Sequence, residues 1–238
     1  MKYQTISTTV YDNLLCSLDY FKMRPFLLPH LGNRIIESKS VLFIMESHYV
    51  DPAFFEYQDD KENLKLDAPE LFYNINEKGL TSKFKEYLNT RKIINHSESV
   101  DKNLAKGKSV YRKLSSVVKE GFNLKENNDC SPLDYVGIYN YFQRPSYKPA
   151  ASINVCEKDK TVAYEALKHI LNTVHFNKIV FTSAKAYDCF FKIDSLNNKE
   201  IQANRIIYRG THPRAWGRAC DYKKTITWKQ WIINRLRT

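Results

Sequence analysis

The sequence predicts an α/β fold, a three-layer α/β/α sandwich around a central, mainly parallel four-stranded sheet. Three observations carry this. Four short apolar runs rich in β-branched and aromatic residues are near-continuous rather than alternating, the pattern of strands covered on both faces. Segments of helical period lie between them, and such alternation is what an open parallel sheet requires. There is no internal repeat, and 7 glycines and 8 prolines in 238 residues leave little material for long linkers. Residues 1–238 therefore read as a single domain with a helix near each end.

In chain order, Tyr11–Phe21 is amphipathic and predicts the first helix. Ser40–Glu46 (SVLFIME) predicts the first strand. Helical patterns follow at Thr81–Leu88 and Leu104–Val118, then a second strand at Tyr135–Phe142 (YVGIYNYF). Val162–His175 reads as a helix leading to the third strand, Lys178–Thr182 (KIVFT). Thr182-Ser183 supplies a hydroxyl N-cap for a helix over Ser183–Phe191, and Asn204–Tyr208 (NRIIY) predicts the fourth strand. Thr227–Leu236 closes the chain as an amphipathic helix whose Trp228 and Trp231 are expected to dock on the domain. Tyr57–Pro69 and Phe142–Lys160 are the most loop-like stretches.

Composition narrows the chemistry. Lys and Arg number 37 against 26 Asp and Glu, a formal charge of +11, which favours encounter with polyanions. The same charge also serves solubility alone. Five cysteines (Cys16, Cys130, Cys156, Cys189, Cys220) are scattered and never spaced as CxxC, so neither a disulfide frame nor a metal site is expected. No apolar run approaches the roughly 18 residues of a membrane span, and Met1–Asn13 lacks a signal-peptide layout. The expected product is a cytoplasmic monomer without cofactor, metal or membrane partner.

Ligands of an open α/β sheet bind beyond the carboxyl ends of its strands. After the first strand, Met45-Glu46-Ser47-His48-Tyr49 gathers a carboxylate, a hydroxyl, an imidazole and a phenol. Asn140, Gln143 and Arg144 follow from the second strand, and Gly210-Thr211-His212-Pro213-Arg214 from the fourth. Dispersed polar groups converging on one rim are what an α/β active site needs. Structural roles fit the same residues: His48 with Tyr49 satisfying loop backbone, Asn140 bonding a neighbour, and His212-Pro213 forming a turn.

These motifs resemble, in order, those of the uracil-DNA glycosylase superfamily. MESHY (Met45–Tyr49) stands where the family has GQDPY or GEAPG, IYNYFQRP (Ile138–Pro145) where it has an Asn-bearing strand, IVFTSAKA (Ile179–Ala186) where a strand enters a helix, and IIYRGTHPRAW (Ile206–Trp216) at the His-Pro motif. Met45 replaces the family's glycine, and Ser47 and His48 replace its acid-or-small residue and proline. The resemblance spans about Ser40 to Trp216 and implies a DNA partner, single- or double-stranded, and cleavage of a flipped-out uracil or other damaged base from its sugar. It implies Glu46 activating water and His212 meeting the base anion as catalytic residues. It further implies Asn140, Tyr49 and Phe72 as base-binding residues, Phe72 as a stacking platform, and Arg144, Arg214 and Arg218 on DNA.

Two other classes compete. A binding module that has lost catalysis on the same fold would keep the basic surface alone. A hydrolase using Ser47 with His48 or His212 is less suited, since adjacent Ser-His is poor triad geometry and no GxSxG elbow occurs. No GxxxxGK[ST] phosphate loop is present.

Overall fold

The computed structural model describes residues 7–35, 39–48, 69–74, 82–99, 109–125, 130–146, 152–193, 201–202, 205–220 and 225–238. Five strands form one mixed, mostly parallel sheet: β1 (His30–Leu31), β2 (Val41–Ser47), β3 (Gly137–Phe142), β4 (Lys178–Phe181) and β5 (Ile206–Arg209), in the order β1-β3-β2-β4-β5. The four apolar runs are the four parallel strands. The expected count of four is corrected to five, because β1 pairs antiparallel with β3 through His30↔Ile138 and Leu31↔Gly137. Two residues are too few to show any periodicity.

The helices are α1 (Asp12–Leu15), α2 (Asp19–Met23), α3 (Pro69–Asn74), α4 (Ser82–Leu88), α5 (Thr90–Ser99), α6 (Ser109–Gly121), α7 (Glu157–Thr173), α8 (Ala184–Ile193) and α9 (Trp228–Arg237). The single N-terminal helix expected over Tyr11–Phe21 is two short ones. Ser17 Oγ donates to the Leu14 carbonyl at 2.7 Å, a local side-chain bond that closes α1. Ser183 caps α8, its Oγ accepting from the Ala186 N–H at 3.2 Å, as the hydroxyl signal predicts. Thr227 caps α9 in the same way through the Gln230 N–H at 3.2 Å. The expected helix over Leu104–Val118 begins outside the described residues and is seen as α6, while α5 has no counterpart in the sequence reading.

Alternation along β2 sends its side chains to two hydrophobic clusters. Leu42 and Ile44 join Tyr139, Leu167, Ile170 and Phe190, the side covered by α7 and α8. Val41, Phe43 and Met45 join Val110, Leu114, Val117 and Ile233, the side covered by α6 and α9. On that second side Gly121 is required. A Cβ there would lie 2.6 Å from Leu236 Cδ1, so only glycine lets α9 settle onto α6. Trp228 and Trp231 pack edge-to-face at 5.5 Å, and Trp231 meets Tyr208 of β5 at 5.7 Å. β2, β3 and β4 are buried throughout or nearly so, but β5 is an edge strand whose Ile206 is 52% exposed. Among the described residues no helix is long and apolar enough to cross a membrane.

Candidate functional site

Between β2 and β3 the helix α6 packs on one face of the sheet, and α8, which follows β4, packs on the other. Strands β2 and β4 are neighbours in register from Val41↔Lys178 to Ile44↔Phe181. Their carboxyl ends therefore flank a topological switch point, where open α/β sheets bind ligands. Glu46 stands there, half-buried. Its carboxylate accepts from Ser183 Oγ at 2.8 Å, the same hydroxyl that caps α8, and from Ser152 Oγ in the loop ahead of α7. Two hydroxyls from separate segments thus fix one carboxylate beside the positive end of a helix.

Asn140 leaves the opposite face. It is in register with Met45 and lies 2% exposed under α5 and α6. Its Nδ2 donates to Thr90 Oγ1 at 3.1 Å and faces His48 Nδ1 at 3.5 Å, and Tyr111 hydrogen-bonds the same amide. His48 is the residue after β2, also 2% exposed. Burial drives the basicity of its ring down to about 3, so it is neutral.

His212 follows β5, two strands from β2 and three from β3, which is roughly 10 and 14 Å at sheet spacing. Gly210 bonds the end of β4, its N–H donating to the Phe181 carbonyl at 2.8 Å, and a Cβ on it would lie 2.7 Å from that oxygen. The loop then turns toward the Asn140 face, where Lys113 Nζ of α6 donates to the Pro213 carbonyl at 3.3 Å. The His212 carbonyl accepts from the Ala215 N–H at 2.8 Å, closing the short turn Pro213–Ala215. His212 itself is half-buried.

The sequence-predicted residues thus fall into two groups. Asn140 and His48 share one buried cluster, with the His212 loop turned toward the same face, while Glu46 stands on the other face of the rim. Two expectations are corrected. Phe72, expected to stack on a base, is fully buried on α3 against Phe26, Leu27, Phe84 and Leu88; an apolar ring with core neighbours on every side has no face to offer. Arg144, expected on DNA, is 3% exposed and bound to Asp159 by Nε at 3.0 Å and Nη2 at 2.6 Å. Burial alone would raise the Asp159 carboxyl, but the Arg144 guanidinium outweighs it and holds the group below the usual carboxylate range. Tyr73 Oη and the Cys156 N–H complete that carboxylate at 2.8 and 3.0 Å. Arg218 is exposed in the turn after His212. Tyr49 and the Arg214 side chain lie outside the described residues.

Sequence reading missed Ser152, Thr90, Tyr111 and Asp159, whose roles depend on contacts 15 to 106 residues away in sequence. Ser183 was legible only as a cap. Among the described residues no group of His, Cys, Asp and Glu is arranged to hold a metal ion. No protein-family model and no curated protein matches the chain.

Proposed function

We propose that the chain is a DNA glycosylase of the uracil-DNA glycosylase type, a three-layer α/β/α domain acting in the cytoplasm on a flipped-out uracil or other damaged base. The observation that carries this reading is the half-buried Glu46 carboxylate, fixed by Ser183 and Ser152 at the switch point of a parallel sheet. As the N-glycosidic bond lengthens, positive charge develops on the sugar and negative charge on the base. A fixed carboxylate stabilises the first, and hydrogen-bond donors the second. Glu46 orients the water whose oxygen joins C1′; the C1′–N bond breaks with its electron pair on the base, which ends with the water's proton. His212, three residues past β5, is the residue that the motif resemblance assigns to the departing base. Arg218, with Arg214, is placed in sequence to meet phosphates.

A second reading has an observation of its own. Asn140, Phe72 and Arg144 are all committed to internal contacts, which favours a binding module that has kept the basic surface without the chemistry. A panel of oligonucleotides carrying damaged bases, cleaved with alkali after incubation, separates the two. Excision lost in Glu46→Gln and His212→Ala supports the enzyme. Binding that weakens steeply with salt, with no abasic product from any base, supports the module.

A further inference from the structure

We infer that the half-exposed aromatic strip along α9 and the edge strand β5 is a binding surface for single-stranded DNA. It lies outside the Glu46 rim and goes beyond base excision. Only the choice of DNA over RNA rests on the excision reading.

Topology lays the strip out. Trp228 and Lys229 open α9 with their N–H groups on the Arg218 and Trp216 carbonyls, beyond the carboxyl end of β5. At the other end the Arg235 carbonyl accepts from Nζ of Lys178, the first residue of β4, at 3.1 Å. α9 therefore runs antiparallel to β4 and β5. Trp228, Trp231 and Arg235 are spaced i, i+3 and i+7, so they share one face of the helix. Trp231 meets Trp228 at 5.5 Å and Tyr208 of β5 at 5.7 Å. All three rings are only half-buried, whereas Trp216, which serves the core, is 2% exposed. Ile206, on the Tyr208 face of β5, is exposed beside them.

The charge on this strip is positive and uncommitted. The exposed Arg235 guanidinium lies 5.4 Å from the Trp231 ring centre and 5.5 Å from that of Tyr208. Among the described residues no carboxylate meets Arg235, or Arg218 at the opposite end. A guanidinium held flat on rings is set in advance for a phosphate. The sheet edge adds donors. Ile206 and Gly210 turn their N–H groups to Asn177 and Phe181, so those of Ile207 and Arg209, between them, point outward. Trp228 to Arg235 spans about 10 Å, room for two or three nucleotides at the roughly 3.4 Å spacing of a stacked strand. Rings beside free cations match the bases and phosphates of an unpaired strand. A duplex keeps its base faces inside the stack and offers the strip phosphates alone.

Tryptophan fluorescence of the full chain, titrated with oligothymidylate, oligouridylate and a thymidine-adenosine duplex of equal length, tests this without any excisable base. Of the three tryptophans only Trp228 and Trp231 are open to a ligand, so quenching reports the strip. Oligothymidylate is expected to quench, and to bind at least about tenfold more tightly than the duplex and more tightly than oligouridylate. Trp228→Leu should weaken strand binding about 5- to 100-fold, the loss of one stacked base. Arg235→Gln should weaken it too and lower the slope of log affinity against log salt by about 0.7, one phosphate contact. This exposed change keeps the test standing if Trp228→Leu fails to fold. Lys22→Gln, exposed on α2 across the sheet, should alter neither quantity. Absent quenching, duplex bound as tightly as the strand, or Arg235→Gln with wild-type affinity and slope overturns the proposal. So does a dimer in sedimentation that shields both tryptophans from acrylamide, which makes a second copy the occupant. Tighter binding of oligouridylate overturns the choice of DNA. Excision is read separately on deoxyuridine oligonucleotides, so either reading can fail alone.

Discussion

Arg144 donates to both Asp159 oxygens and to the Asn154 carbonyl at 2.8 Å, so the chain leaving β3 is tied to the first turn of α7. Removing one member of a buried pair leaves the other charge uncompensated, at a cost of about 3–5 kcal/mol. Arg144→Ala is accordingly expected to lower the denaturant midpoint strongly, while any DNA binding by the folded fraction stays unchanged. A large loss of affinity at unchanged stability would restore Arg144 to the interface. The residue types at the rim were legible in the sequence, but not which of them face outward. QRP and LFYN have the same letters whether Arg144 and Phe72 meet solvent or core, and Asp159 and Phe26 decide the matter from elsewhere in the chain.

At the scale of elements, legibility followed length. The runs SVLFIME, YVGIYNYF and KIVFT have enough β-branched and aromatic residues to declare β2, β3 and β4, and their order places Glu46 at a strand end. β1 rests on a two-residue pairing, and the edge position of β5 depends on what lies beside it rather than on its own residues. The break between α1 and α2 falls at Ser17, whose N–H and hydroxyl both donate to the Leu14 carbonyl. The junction of α6 with α9 was invisible because it rests on the missing Cβ of Gly121, which admits Leu236 from more than a hundred residues away. Gly121→Val should therefore push α9 off its seat and cost about 1–3 kcal/mol, the range for overpacking, seen as a lower thermal midpoint with altered fluorescence from Trp228 and Trp231. An unchanged midpoint and spectrum would show that α9 is held mainly through its other contacts.

For the whole molecule, two fully buried histidines make stability depend on pH. Desolvation lowers His30 to about 4 and His48 to about 3, while both titrate near 6.5 in the unfolded chain. Their contribution is complete above pH 6.5 and is lost as pH falls toward those folded values, because only the unfolded state takes up the protons. Each adds a slope of roughly 1.4 kcal/mol per pH unit within that window. Unfolding free energy should thus decline between pH 6 and 4, and a His30→Gln, His48→Gln double variant should flatten the decline. An equally steep decline in the double variant would assign it to other groups.

Base excision is proposed to depend on one carboxylate, Glu46, at the switch point. Single-turnover strand scission of a deoxyuridine duplex, wild type beside Glu46→Gln at matched DNA occupancy, tests it most directly. Cleavage by wild type is expected, with a loss of at least about 10²-fold in the variant and binding retained. Equal rates for the two proteins, or no abasic product from wild type, would contradict it.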